Sequence, residues 1–65
     1  MNIKTLAKNI SFNKATGIIT KLGYDILNTQ TNGNDTIFIT RHNEIKYNEV
    51  TGDLTIRDFE MAKVV

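Results

Sequence analysis

Sixty-five residues with no cysteine, one histidine and a net charge of only +1 make a single small domain, 1–65, and exclude disulfides, thiolate metal sites and multi-histidine metal sites. A chain this short buries only about 60% of the surface its unfolded form exposes, and one core of that size supplies ~3–5 kcal/mol. No apolar run reaches the 18 residues of a transmembrane helix. Met1-Asn2-Ile3-Lys4 lacks a signal peptide's apolar stretch, so the expected location is cytoplasmic, in keeping with the absence of cysteine. Asn9-Ile10-Ser11 and Asn34-Asp35-Thr36 match the glycosylation pattern and are read as incidental.

The charges are sorted along the chain. Residues 1–23 hold Lys4, Lys8, Lys14 and Lys21 with no acid. Residues 24–65 set Arg41, Lys46, Arg57 and Lys63 against seven acids. Such asymmetry marks a candidate basic contact surface, although four lysines also simply keep a short segment soluble. The abundance of Asn, Ile, Thr and Lys fits AT-rich coding and points to a low-GC bacterium or a bacteriophage.

In chain order, Ile3, Leu6, Ala7 and Ile10 have helical spacing and predict a short helix. Residues 10–22 admit two readings. Ala15, Ile18, Ile19 and Leu22 fall on one helical stripe, with Ser11 or Asn13 as N-cap and Gly23 where a C-terminal cap belongs. The alternative is a hairpin, because Ile10 to Thr20 resembles Ile45 to Thr55 position by position. The helix is the favoured reading, and the hairpin would make the fold mainly β.

Tyr24 to Arg41 predict a hairpin about Asn32-Gly33-Asn34-Asp35, whose residues favour left-handed backbone. Symmetric pairing sets Thr31 against Thr36, Thr29 against Phe38 and Leu27 against Thr40. One face then carries Tyr24, Ile26, Ile37 and Ile39, expected to be core. The other carries Leu27, Phe38 and the threonines at 29, 31, 36 and 40. A link at His42-Asn43 leads into a second hairpin, 44–57, with the loop Glu49 to Gly52. That register pairs Asn48 with Asp53, Tyr47 with Leu54, Lys46 with Thr55, Ile45 with Ile56 and Glu44 with Arg57, and gathers four apolar residues on one face. Asp58 to Val65 are read as a last helical turn or a strand extension.

The expected fold is α+β: an N-terminal helical segment packed on a four-stranded antiparallel β-meander. The expected core is Ile10, Ile18, Ile19, Leu22, Ile26, Ile37, Ile39, Ile45, Tyr47, Leu54 and Ile56.

Catalysis finds little footing. Ser11 is the only serine and His42 the only histidine, and nucleophilic catalysis needs an activated nucleophile with a base in reach. The four glycines stand apart at 17, 23, 33 and 52 and form no phosphate loop. No catalytic residue, metal ligand or cofactor is assigned. The function expected is that of a small protein-binding domain, a bacteriophage-encoded regulator or inhibitor that sterically blocks a larger host protein. The Leu27, Thr29, Phe38 and Thr40 face would be its contact surface, and the strand edges would be open to a homodimer. The alternative is a nucleic-acid-binding protein using Lys4, Lys8, Lys14 and Lys21 along an N-terminal helical side. No membrane partner is expected.

Overall fold

The computed structural model describes residues 3–58. The expectations for 59–65 lie outside the described residues. The element order is β1 (Ile3–Ala7), α1 (Phe12–Lys21), β2 (Asn28–Asn32), β3 (Asp35–Ile39), β4 (Asn43–Asn48) and β5 (Asp53–Asp58). They form an α+β fold: one helix on a five-stranded antiparallel sheet ordered β1-β5-β4-β3-β2, in which β2–β5 are a meander. The antiparallel pairings make β1 and β2 run the same way at opposite edges. Helix α1 is the crossover between them and traverses one face of the sheet.

The N-terminal segment is a strand, not a helix. The register shifts between Thr5 and Ala7, and a bulge of this kind breaks strict alternation. Leu6 and Ala7 both become half-buried and pack on the core, while Ile3 is 58% exposed. The bulge is what gives a strand the spacing of a helix.

Residues 12–21 are helical, and the hairpin alternative is excluded. Ser11 caps the start, its Oγ accepting from the Lys14 N–H at 3.2 Å. Gly23, at φ +85°, ends it. The Gly23 N–H donates to Thr20 C=O at 3.0 Å and the Tyr24 N–H to Ile19 C=O at 3.3 Å, a Schellman motif that uses up two orphan carbonyls. These local signals outweigh the weak helix propensity of Thr16-Gly17-Ile18-Ile19-Thr20. Ala15 and Ile19 are buried, and Ile18 is half-buried.

The 44–57 hairpin has the expected register, from Asn48↔Asp53 to Glu44↔Arg57. Asn48 organises its loop. Its Oδ1 accepts from the N–H groups of Val50 (2.9 Å) and Thr51 (3.0 Å), and its Nδ2 donates to Asp35 Oδ1 at 2.9 Å. Gly52, at φ +76°, approaches the chain ahead of α1 and accepts from the Ile10 N–H at 3.0 Å. The first hairpin pairs as expected at Thr31↔Thr36 and Thr29↔Phe38, but β2 begins at Asn28, so Leu27 and Thr40 are not paired and the Leu27 N–H donates to Ile39 C=O at 2.7 Å.

Which face of β3 is core differs from expectation. The link between β3 and β4 places Phe38 beside Ile45 and Thr36 beside Tyr47, and directly paired residues share a face. Phe38, 6% exposed, therefore joins Ala15, Ile19, Ile45, Tyr47, Leu54 and Ile56 in the core, while Ile10 and Ile18 are half-buried against it. Ile37 and Ile39 point to the opposite face. Leu22 and Ile26 are exposed in the stretch that leaves the helix. Phe12 covers the end of this core, its ring 6.2 Å from Phe38 and 5.7 Å from Tyr47 between centroids. Among the described residues no helix is long and apolar enough to cross a membrane.

Candidate functional site: the uncovered sheet face

One face of the sheet is covered by α1. Among the described residues no helix lies over the other, and its layout follows from the strand registers. Read from β2 to β1, one row is Asn28, Ile39, Glu44, Arg57 and Ile3. The next is Gln30, Ile37, Lys46, Thr55 and Thr5. The last is Asn32, Asp35, Asn48 and Asp53. Ile37 and Ile39 are half-buried by their neighbours in the sheet. They form an aliphatic strip along β3, with Ile3 a second apolar point at the β1 edge. Between and around them stand charged and hydroxyl side chains. Glu44 and Arg57 form a cross-strand ion pair; at a solvent-exposed site such a pair contributes at most ~1 kcal/mol.

Two solvent-open depressions mark this face. One, of about 140 Å3, is lined by Ile3, Glu44, Lys46, Thr55 and Arg57. The other, of about 350 Å3, lies among Asp35, Lys46, Asn48, Thr51, Asp53 and Thr55. Lys46 stands between them. A third depression, of about 270 Å3, lies off this face where the helix exit meets the β3–β4 link, with Tyr24, Asp25, Leu27, Arg41 and His42 in its lining.

The side chains proposed for binding do not share one surface. Phe38 and Thr40, at 6% and 5% exposed, are buried on the helix-covered side and offer little surface to a partner. Thr40 is occupied locally: its Oγ1 accepts from the Asn43 N–H at 2.9 Å and donates to Asn43 C=O at 3.1 Å. Leu27, 62% exposed, and Thr29 remain at the surface, beside and on the β2 edge. The four lysines do not line one helix. Lys4 is on β1, Lys8 follows it, and only Lys14 and Lys21 are helical, two turns apart on the outer side of α1. All four are exposed.

Ser11 and His42 lie at opposite ends of the sheet. Ser11 follows Ile10, which bonds to Gly52 in the β4–β5 loop. His42 sits in the link at the other end of the six-residue β4, a strand length of roughly 20 Å away. Among the described residues no three His, Cys, Asp or Glu side chains converge as a metal site would require.

Sequence periodicity alone does not single out the uncovered face, because Ile37 and Ile39 read as core when β3 is judged by itself. The signal was there: with a short β3–β4 link, residue parity puts Phe38 on the face of Ile45 whether the link is taken as Arg41-His42 or His42-Asn43. Comparisons with protein-family models, curated proteins and solved structures find no match to this chain.

Proposed function

We propose that this protein is a small, non-catalytic protein-binding module whose contact surface is the uncovered face of its sheet. The observation that carries this reading is the strip Ile37–Ile39 with Ile3, set among Lys46, Thr55, Asp35, Asp53 and the Glu44–Arg57 pair. Apolar area inside a polar surround is the anatomy of a protein interface. The mechanism is steric: the uncovered sheet face occupies a functional surface on a larger protein. The AT-rich residue usage supports a bacteriophage-encoded regulator or inhibitor of a host protein acting in the cytoplasm.

The test is capture from bacterial lysate by immobilised protein, run beside the Ile37→Glu and Ile39→Glu variants. A protein retained by the wild type and lost by both folded variants supports the reading. Equal retention by all three refutes it.

A second reading rests on one observation, the exposure of Lys4, Lys8, Lys14 and Lys21 together with the placement of Lys14 and Lys21 along the outer side of α1. It is nucleic-acid binding by the helix side. That reading requires affinity to fall steeply with salt, with each lost phosphate contact lowering the log–log slope by about 0.7–0.9.

A further inference from the structure

We propose that two copies of this protein associate through β2, pairing antiparallel about a two-fold axis at Gln30 and joining two five-stranded sheets into one. This goes beyond the face-binding reading and does not depend on it.

The inference begins with the two edges of the sheet, which are built differently. The β1 edge carries Lys4, is followed by Lys8, and is interrupted by the shift between Thr5 and Ala7. Charge and bulges are the devices that keep an edge from pairing. β2 has neither. Its residues Asn28–Asn32 carry no charge and no proline, and all five are exposed. They pair with β3 in unbroken register.

The ladder fixes which backbone groups are available. Asn32↔Asp35 closes the two-residue turn Gly33-Asn34, so the N–H and C=O groups of Asn32, Gln30 and Asn28 point to β3. Those of Thr29 and Thr31 point outward, because the two directions alternate along an antiparallel strand. Asn28 Oδ1 accepts from the Thr29 N–H at 2.9 Å, which independently places that N–H on the open side. In the isolated chain the amide side chain holds the place that a partner carbonyl would take.

The sequence Asn28-Thr29-Gln30-Thr31-Asn32 reads the same in both directions. An antiparallel pair centred on Gln30 therefore sets Thr29 opposite Thr31 of the second copy, Asn28 opposite Asn32, and Gln30 opposite Gln30. This is also the register that the outward groups require, since Thr29 and Thr31 of one copy exchange hydrogen bonds with Thr31 and Thr29 of the other. Cross-strand threonine pairs are favourable. Asn and Gln amides carry both donor and acceptor and can satisfy one another. No like charges meet. Leu27, 62% exposed just ahead of the strand, falls beside the Gly33 turn of the second copy, where no side chain stands. The neutrality and self-complementarity of the strand select a second copy over a foreign strand. In the joined sheet the two uncovered faces become continuous, with the two β3 strips about 14 Å apart across the axis.

The test is sedimentation of the full chain at concentrations up to about 1 mM, the weak end of measurable affinity. The wild type should show a concentration-dependent monomer–dimer equilibrium. Gln30→Lys and Gln30→Glu should each weaken it about tenfold or more without lowering the melting temperature, because like charges then meet at the axis. An equimolar mixture of the two should regain association, and Asn13→Lys, exposed on α1 and outside β2, should leave it unchanged. A wild type that stays monomeric throughout overturns the proposal. So does a Gln30→Lys protein that dimerises as the wild type does, or a mixture that fails to regain association.

Discussion

Gly52→Ala tests how the two halves of the structure are joined. Gly52 sits at φ +76°, and a Cβ there would lie 2.9 Å from Asn9 Cα, Ile10 N and Ile10 O. All three are backbone atoms, so relief requires moving the chain that leads into α1. That movement strains the bond from the Ile10 N–H to Gly52 C=O. The left-handed conformation costs alanine ~1–2 kcal/mol, and loss of the bond adds ~0.5–1.5 kcal/mol. A total of ~1.5–3.5 kcal/mol is a large share of the ~3–5 kcal/mol such a core supplies, and it lowers the melting temperature by roughly 6–28 °C. The control is Gly23→Ala, at φ +85° with nothing within 4 Å of the added methyl. It carries the backbone penalty alone. Urea titrations followed by circular dichroism should place Gly52→Ala at least ~1 kcal/mol below Gly23→Ala, the lower part of the hydrogen-bond and clash contribution. Equal destabilisation by the two variants would refute the close approach of Gly52 to Asn9 and Ile10.

Three further changes have defined outcomes. Phe38→Ala should cost ~3–5 kcal/mol as a buried aromatic and unfold much of the protein in a thermal melt, because Phe38 is core beneath α1. Tyr47→Phe removes the hydroxyl that donates to Ile10 C=O at 2.7 Å and should cost ~1–2 kcal/mol in a urea titration, the cost of leaving that carbonyl without its partner. Gly17→Ala should stabilise by ~0.5–1 kcal/mol, since Gly17 lies in the helix interior with negative φ and open space around it.

The parts of the fold legible in the sequence are those set by local chemistry. Gly52 and four apolar residues at matched positions fix the register of the 44–57 hairpin, and Asn32-Gly33-Asn34-Asp35 fixes that of its neighbour. Ser11 and Gly23 bound the helix. What was missed depends on how elements meet. Two isoleucines outweigh one phenylalanine when β3 is judged alone, but its pairing to β4 decides the face and puts Phe38 inside. The bulge in β1 gives a strand the apolar spacing of a helix, and its partner β5 lies some fifty residues away in the chain. The same pairing turns Phe38 and Thr40 inward and Ile37 and Ile39 outward with Lys46 and Thr55.

The central claim, that the uncovered sheet face is the contact surface, is tested most directly by titrating methyl-labelled isoleucines with the captured protein and following their resonances. Ile3, Ile37 and Ile39 report the uncovered face, Ile10 and Ile18 the helix side, and Ile19, Ile45 and Ile56 the core. Large shifts or broadening at Ile37 and Ile39, with smaller effects at Ile10 and Ile18, are the predicted result. Perturbation concentrated at Ile10 and Ile18, with Ile37 and Ile39 unchanged at saturation, would contradict it and move the contact surface to the lysine-bearing helix side.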